Sequence, residues 1–324
     1  MNDFFAKGKA VGSVAKKLLA CGFNVNALRT NDTLLYDEWK EIDKAVLKSY
    51  QQRLVGVADL ESRGLVYNIG NGMAKTVLAY QDASDTEVAQ MSMDGKTRGQ
   101  RDRPEFDINY LPLPIIHKDF SFSAREIQAS RNGNMPLDTT MAELAARKVA
   151  EKIEELLFVG SGSYTFGGGT IHGYTTHSSR NTGSLNGNWD DSATSADNIL
   201  DDVLSMKQAL INDRCYGPYM LYIPTNFETA IEENYSDSYP GSIRQRLMQI
   251  DNLLGIKVAD KLTADNVVMV QMTSDVVRMV NGLEIQTLEW EEEGGLDLKF
   301  KVMAIKVPQI RADQDGRCGV AHWS

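Results

Sequence analysis

Residues 73–123 set the tightest limit on what this 324-residue chain can be. Thr76-Val77-Leu78-Ala79-Tyr80 and Thr86-Glu87-Val88-Ala89-Gln90-Met91 read as strand, and Phe106-Asp107-Ile108-Asn109-Tyr110-Leu111 alternates with period two up to Leu111. Asp94-Gly95 between them is a hairpin turn signal. Arms of about 20 residues at ~3.3 Å per residue would reach roughly 60 Å. A compact chain of this length has a radius of gyration of only about 20 Å, and an isolated two-stranded hairpin is marginally stable in water. Such an arm is expected to lie on something else, most simply another copy of the chain. The alternative is a shorter hairpin folded back on the body with a long tip. The turn region carries Lys96, Arg98, Arg101 and Arg103 against Asp94 and Asp102.

The rest of the chain reads as ordinary folded protein. With 42% hydrophobic residues it is not disordered throughout, and its length suits one large or two medium domains. Cys21, Cys215 and Cys318 are too far apart for a disulfide framework or a zinc ribbon. No apolar run approaches the ~18 residues of a membrane span. The start, MNDFFAKGKAVGSVAKKLLACGF, lacks the continuous apolar region of a signal peptide. A soluble, acidic protein of a reducing compartment is expected. Charge is unevenly placed: Lys7, Lys9, Lys16, Lys17 and Arg29 face only Asp3 in residues 1–30, a net of +4, so the remainder carries −14 of the total of −10. A basic arm on an acidic body suits contact with nucleic acid, a membrane surface or an acidic partner, or else is a solvated terminus.

Helical spacing of Trp39, Ile42 and Val46 predicts a short amphipathic helix, and residues 54–70 read as irregular with strand character. The strongest helix is 141–158. Thr140-Met141-Ala142-Glu143 has the form of a capping box; Met141, Leu144, Ala145, Val149, Ile153, Leu156 and Leu157 form one stripe, and Gly160 supplies the stop. Residues 160–190 read as extended loop with room for a short hairpin. A compact α/β pattern follows: helix 195–211, a buried strand at 219–223, a capping box Thr225-Asn226-Phe227-Glu228, helix 242–250, and strands near 256–259, 266–272, 276–280 and 283–290. A half-exposed strand begins at Leu296.

Chemistry-bearing patterns mostly fail. Gly160-x-Gly162 has Thr165 where a dinucleotide motif needs glycine, and the loop follows a helix when it should open one. Ser161 and Ser163 are not in Gly-x-Ser-x-Gly. His172 and His177 have no third ligand at a recognisable distance, so His117, His172, His177 and His322 read as surface histidines. Glu289, Glu291, Glu292 and Glu293 lack a calcium-loop pattern. No catalytic residue, metal or cofactor is expected, and the chain does not read as an enzyme.

The order of elements, with LYDEWKEIDKAVLKSYQQRLVGVADL at 35–60 and LPLPIIHKDFSFSAREIQASR and PLDTTMAELAARKVAEKIEELLFVG within 111–160, resembles the tailed-bacteriophage major capsid proteins of the Hong Kong 97 type, on the branch close to encapsulin shells. The His117-Lys118-Asp119-Phe120 step, the Arg125-Glu126 pair, the Leu137-Asp138-Thr139-Thr140 cap and the tail VPQIRADQDGRCGVAHWS carry the likeness. It covers about 35–324 and is strongest at 105–160.

The resemblance implies an α+β chain with the Hong Kong 97-type capsid fold. Its parts would be a basic arm (1–34), an N-terminal helix and connector (35–69), an extended hairpin loop lying over a neighbouring subunit (70–115) and a peripheral domain with the spine helix (116–189). An axial domain (190–290) and a return strand with peripheral tail (291–324) would follow. It implies self-assembly as pentamers and hexamers into an icosahedral phage head, a virion capsid built in the host bacterial cytoplasm. Double-stranded DNA would be held non-specifically by Lys7, Lys9, Lys16, Lys17 and Arg29, and scaffolding, portal or decoration proteins would be separate. An encapsulin shell around an enzyme cargo is the alternative, and a soluble hydrolase a remote one. The hairpin tip is expected to meet an acidic surface, either Glu289 to Glu293 or Glu228, Glu232 and Glu233. Some members of the fold cross-link a Lys to an Asn of a neighbour. Lys96 is near the tip, but Asn281 is the last asparagine. Denaturing electrophoresis of assembled protein should therefore show one band at 36 kDa, and a ladder would refute this.

Overall fold

A computed structural model describes residues 55–83, 93, 106–127, 140–236, 239–292, 296–313 and 315–324. The arm 1–34, the 37–47 helix and the basic hairpin tip lie outside the described residues. In chain order the structure runs through helix α1 (Val55–Ser62), strands β1 (Val66–Asn68), β2 (Val77–Ala83), β3 (Phe106–Pro112) and β4 (Ile116–Ser123), and helix α2 (Thr140–Phe158). Strands β5 (Gly160–Phe166), β6 (Gly169–His172) and β7 (Asn181–Gly183) precede helix α3 (Ala196–Asn212). Then come β8 (Tyr219–Ile223), β9 (Asn234–Ser236), β10 (Tyr239–Ser242), helix α4 (Ile243–Leu247), β11 (Leu253–Val258), β12 (Val267–Gln271), β13 (Val277–Glu292), β14 (Asp297–Ile310) and β15 (Val320–Trp323). The class is α+β, as expected. The chain divides into two compact units. One draws on 115–150 and 284–304; the other on described residues within 54–114, 151–283 and 305–324.

In the first unit β4 pairs antiparallel with β14, Phe120 opposite Phe300 and Phe122 opposite Leu298. Phe120 stacks on Phe300 at 5.1 Å between ring centres, and Phe122 meets Phe300 edge-on at 5.7 Å. His117, Lys118 and Asp119 face outward. Ser123 and Glu126 close a reciprocal capping box: Ser123 N donates to Glu126 Oε2 (2.9 Å) and Glu126 N to Ser123 Oγ (3.2 Å). The Ser-x-x-Glu pattern of this box is legible in the sequence.

Helix α2 begins at Thr140, one residue before the expected start, and its buried face is rotated from the expected stripe. Ala145, Val149, Ile153, Leu156 and Leu157 are buried as expected, but Met141 and Leu144 are 48% and 50% exposed. Ala142, Ala146 and Ala150 take the buried positions instead, completing an i, i+3, i+4 pattern through Ile153. Alanines register weakly in a hydrophobic stripe, yet they allow the closest packing.

The second unit is built on a sheet of five strands in the order β11-β8-β12-β15-β7. Tyr219–Ile223 and Val267–Gln271 are buried at every position. That explains why they read as unbroken apolar runs with no alternation. Helix α3 is capped by Ser195, whose Oγ accepts from Asn198 N, and it buries Ile199, Val203, Met206 and Leu210. Its buried Asp202 accepts from Trp189 Nε1 (2.9 Å) and Asn186 N (3.1 Å), pinning the preceding loop. Trp189 stacks on Phe227.

Four expectations need correction. Residues 54–70, expected irregular, hold α1, whose Gly56 lets it lie close on α2. A Cβ there would sit 2.7 Å from Leu157 Cδ2 and 3.1 Å from Phe158 Cε2. The two strands expected at 276–280 and 283–290 are one, β13. The Asn281-Gly282 step stays extended because Gly72 backs onto Gly282, where a Cβ on Gly72 would lie 2.2 Å from the Gly282 carbonyl oxygen. Thr225 is the first residue of a 3-10 turn preceded by Pro224, with no side-chain cap. Finally, Val320–Trp323, expected with the peripheral segments, pairs with β12 and β7 in the five-stranded sheet. Asp213 supports that tail, accepting from Cys318 N at 3.0 Å and Asn181 Nδ2 at 2.7 Å.

Candidate functional site

The root of the long hairpin is present in regular antiparallel register, from Val77 opposite Pro112 to Ala83 opposite Phe106. The alternation of β3 divides it into two faces. Leu111 is 4% exposed, and Asn109 Nδ2 donates to Asp82 Oδ2 at 2.5 Å. The opposite face carries Phe106, Ile108 and Tyr110, which are 57%, 53% and 45% exposed. Across the ladder Tyr110 faces Ala79 and Ile108 faces Gln81, so the large apolar side chains of this face all come from β3. Three large apolar side chains in line, uncovered among the described residues, form an exposed apolar stripe of the kind that marks an interaction surface.

The β5–β6 hairpin holds this root in place. Its Gly167-Gly168 turn uses positive φ (61° and 82°), and Gly169 lies directly against β3. A Cβ on Gly169 would fall 1.9 Å from the Tyr110 carbonyl oxygen, and one on Gly167 2.6 Å from Val77 Cγ2. On the same small hairpin Tyr164 and Phe166 are 42% and 49% exposed. Gly167 and Gly169 thus form a close contact between the two hairpins.

Of the expected acidic partners, Glu228 and Glu233 are exposed, while Glu232 is exposed but already paired with Arg244 Nη1 at 3.1 Å. Glu289 is half-buried; the side chains of Glu291 and Glu292, and Glu293 as a whole, lie outside the description. Lys96, Arg98, Arg101 and Arg103, like Lys7, Lys9, Lys16, Lys17 and Arg29, lie outside the described residues.

Two histidines read as surface residues are buried. His322 Nδ1 accepts from Arg180 Nε (3.2 Å) while its Nε2 meets Asn266 Oδ1 at 2.6 Å, and His177 Nδ1 accepts from Ser179 N (3.3 Å). Burial pushes both imidazoles down to about 4, with His172 and Arg180 adding to it at His177 and Arg180 at His322. The unfolded chain, with histidines near 6.5, therefore binds more protons between pH 6.5 and 4. The stability these rings contribute is full above pH 6.5 and is lost as pH falls toward 4, on the order of 2 kcal/mol each. Urea unfolding of the wild type should weaken from pH 7 to pH 4.5, and the His177→Gln, His322→Gln pair should flatten that slope. An unchanged slope in the pair would disprove it.

Among the described residues no group of three or more His, Cys, Asp and Glu is placed to hold a metal ion, and no helix is long and apolar enough to cross a membrane.

Comparison with solved structures matches this architecture to shell proteins. The virus-like particle from Pyrococcus furiosus aligns over 89% of this chain and 99% of its own, with a TM-score of 0.65 at 17% identity. The capsid of Myoviridae phage XM1 aligns over 83% of this chain and 91% of its own, with a TM-score of 0.60 at 14% identity. The fold is the Hong Kong 97-type capsid fold. The type 1 encapsulin shell protein EncA of Myxococcus xanthus (strain DK1622) is 25% identical over 207 residues. That match covers 61% of this chain and 64%, under two thirds, of the relative's length. The chain belongs to the family of unknown function DUF6260, whose model matches residues 26–323.

Proposed function

We propose that the chain is the major capsid protein of an icosahedral phage head, assembling as pentamers and hexamers around double-stranded DNA with no catalytic role. The observation that supports shell formation is the Phe106-Ile108-Tyr110 stripe, exposed among the described residues at the root of the expected hairpin. A neighbouring subunit covers that stripe in this reading. The basic residues of 1–30 support a genome-filled shell, since the acidic remainder of the chain would repel DNA and leave the contacts to Lys7, Lys9, Lys16, Lys17 and Arg29. The ranges 116–189 and 190–290 would act as peripheral and axial domains, with a return strand from 291 on leading back to the periphery.

The likeness to EncA favours a second reading, an encapsulin-type shell around a protein cargo. Electron microscopy of particles purified from expressing cells, with assay of nuclease-protected DNA and of co-purifying protein, tests both. Closed particles are expected. Protected DNA in particles made alongside the other head genes supports the phage reading, and a stoichiometric enzyme cargo without DNA supports the encapsulin one. A monomer would overturn both. Reversing Lys96, Arg98, Arg101 and Arg103 together to glutamate should cut particle yield at least tenfold if the tip meets an acidic neighbour. Normal yield would remove that contact from the proposal.

A further inference from the structure

Glu154 is a buried carboxylate, 3% exposed, on the face of α2 that receives α1. Its oxygens accept from two backbone donors at the start of α1, Val55 N at 3.0 Å and Gly56 N at 3.4 Å. These amides open the helix and have no acceptor within it. The charged groups that act on Glu154 come from the segment after β11, where Asp260 repels a negative charge and Lys261 attracts one. Lys261 Nζ lies 3.7 Å from Glu151 Oε2, one turn back on α2, and so is shared. On α1 itself the buried Asp59 is held by Tyr222 Oη (3.1 Å) and by Lys257. Glu154 therefore fastens one helix to another through a carboxylate whose compensation is two amides and part of a lysine.

We propose that Glu154 is a proton-dependent latch, holding α1 on α2 when protonated and loosening it when ionised. A carboxylate taken out of water, with no ion-pair partner among the described residues, is destabilised, and the proton stays on. Burial, opposed by the two backbone hydrogen bonds, raises the Glu154 pKa from 4.5 to about 7. Undocking α1 returns the group to water and to its ordinary value. Between these values the docked form binds the extra proton, so docking is favoured at low pH and weakens as pH rises through 7. The sense is opposite to that of His177 and His322, so in global unfolding the two oppose each other between about pH 4.5 and 6.5, and a local probe of α1 is needed to read the latch.

Hydrogen exchange of peptides covering 55–62 in the full-length protein, corrected for intrinsic rates and referred to β8 and β12, reads the opening directly. The opening constant should rise about tenfold or more from pH 5 to pH 8 in the wild type and stay level in Glu154→Gln, which keeps the shape and loses the charge. Lys261→Gln should move the wild-type profile to lower pH-opening thresholds only if Lys261 disfavours ionisation; since it attracts the charge, the profile should move to higher pH. The same rise in Glu154→Gln as in wild type would overturn the latch. If that variant does not fold, a wild-type opening constant that is flat from pH 5 to pH 8 overturns it equally.

Discussion

The Phe106→Asp, Ile108→Asp double variant should fold and fail to assemble. Both side chains are more than half exposed in the chain, so each costs little to replace in the isolated subunit. In a shell they would be covered, and two large apolar side chains are worth about 1.5–3 kcal/mol each when removed from water. Burying carboxylates in their place adds a further penalty. The loss is expected at every copy of the contact, so assembly should fall by about a thousandfold or more. Size-exclusion chromatography and electron microscopy read assembly, and circular dichroism reads the fold. A variant that forms particles at the wild-type yield would show that this stripe is not an inter-subunit surface. Tyr164→Asp on the neighbouring hairpin, tested alone, would then show how far the covered surface extends.

The second large effect is expected at Gly169. Its ideal Cβ position lies 1.9 Å from the Tyr110 carbonyl oxygen, 2.6 Å from the Tyr110 carbonyl carbon and 3.0 Å from Pro112 Cδ. Two of these are backbone atoms that cannot swing aside, so either β6 or the hairpin root must move. Gly169→Ala should destabilise the chain by about 3 kcal/mol or more, in the range of the severest single substitutions. Gly162, on the paired strand β5, has nothing within 4 Å of its Cβ position, so Gly162→Ala is the matched control and should be close to neutral. Thermal and urea unfolding of the two variants test this. Equal stability of the two would mean that β6 does not brace the hairpin root. The consequence for function follows from position, because the contact at Gly169 fixes the direction in which the apolar stripe points.

Much of the fold is legible in the sequence because the signals are short-range. Helix α2 is announced by its periodicity and its Gly160 stop, and α3 and α4 start at Ser195 and Ser242, whose hydroxyls accept from backbone amides three residues on. Strands β8 and β12 stand out as apolar runs. The alternation Phe106-Asp107-Ile108-Asn109-Tyr110 separates two faces of β3 before any coordinates are known. What it does not say is which face is covered. By ordinary patterning the apolar face would be the inner one, and here it is the outer one. The other face is occupied by contacts to Asp82 and to residues remote in sequence.

The site itself was only partly legible for the same reason. Asp59 reads as one acid among many until Tyr222 and Lys257, 163 and 198 residues away, close on it. Glu154 reads as a polar residue beside the stripe of α2 until α1 arrives to bury it. Lys306, 1% exposed, reads as part of a return strand until Glu61 pairs with it at 2.7 Å. His177 and His322 read as surface residues until Arg180 and Asn266 enclose them.

By itself the sequence determined α2, α3, the apolar strands β8 and β12 and the two-faced alternation of β3. Those depend on dihedral preferences and hydrogen bonds within a few residues. Only the tertiary structure decided which apolar face is left for a neighbour, which acids and imidazoles lose water, and therefore where their protons sit. Those are set by desolvation, which depends on what packs from across the chain.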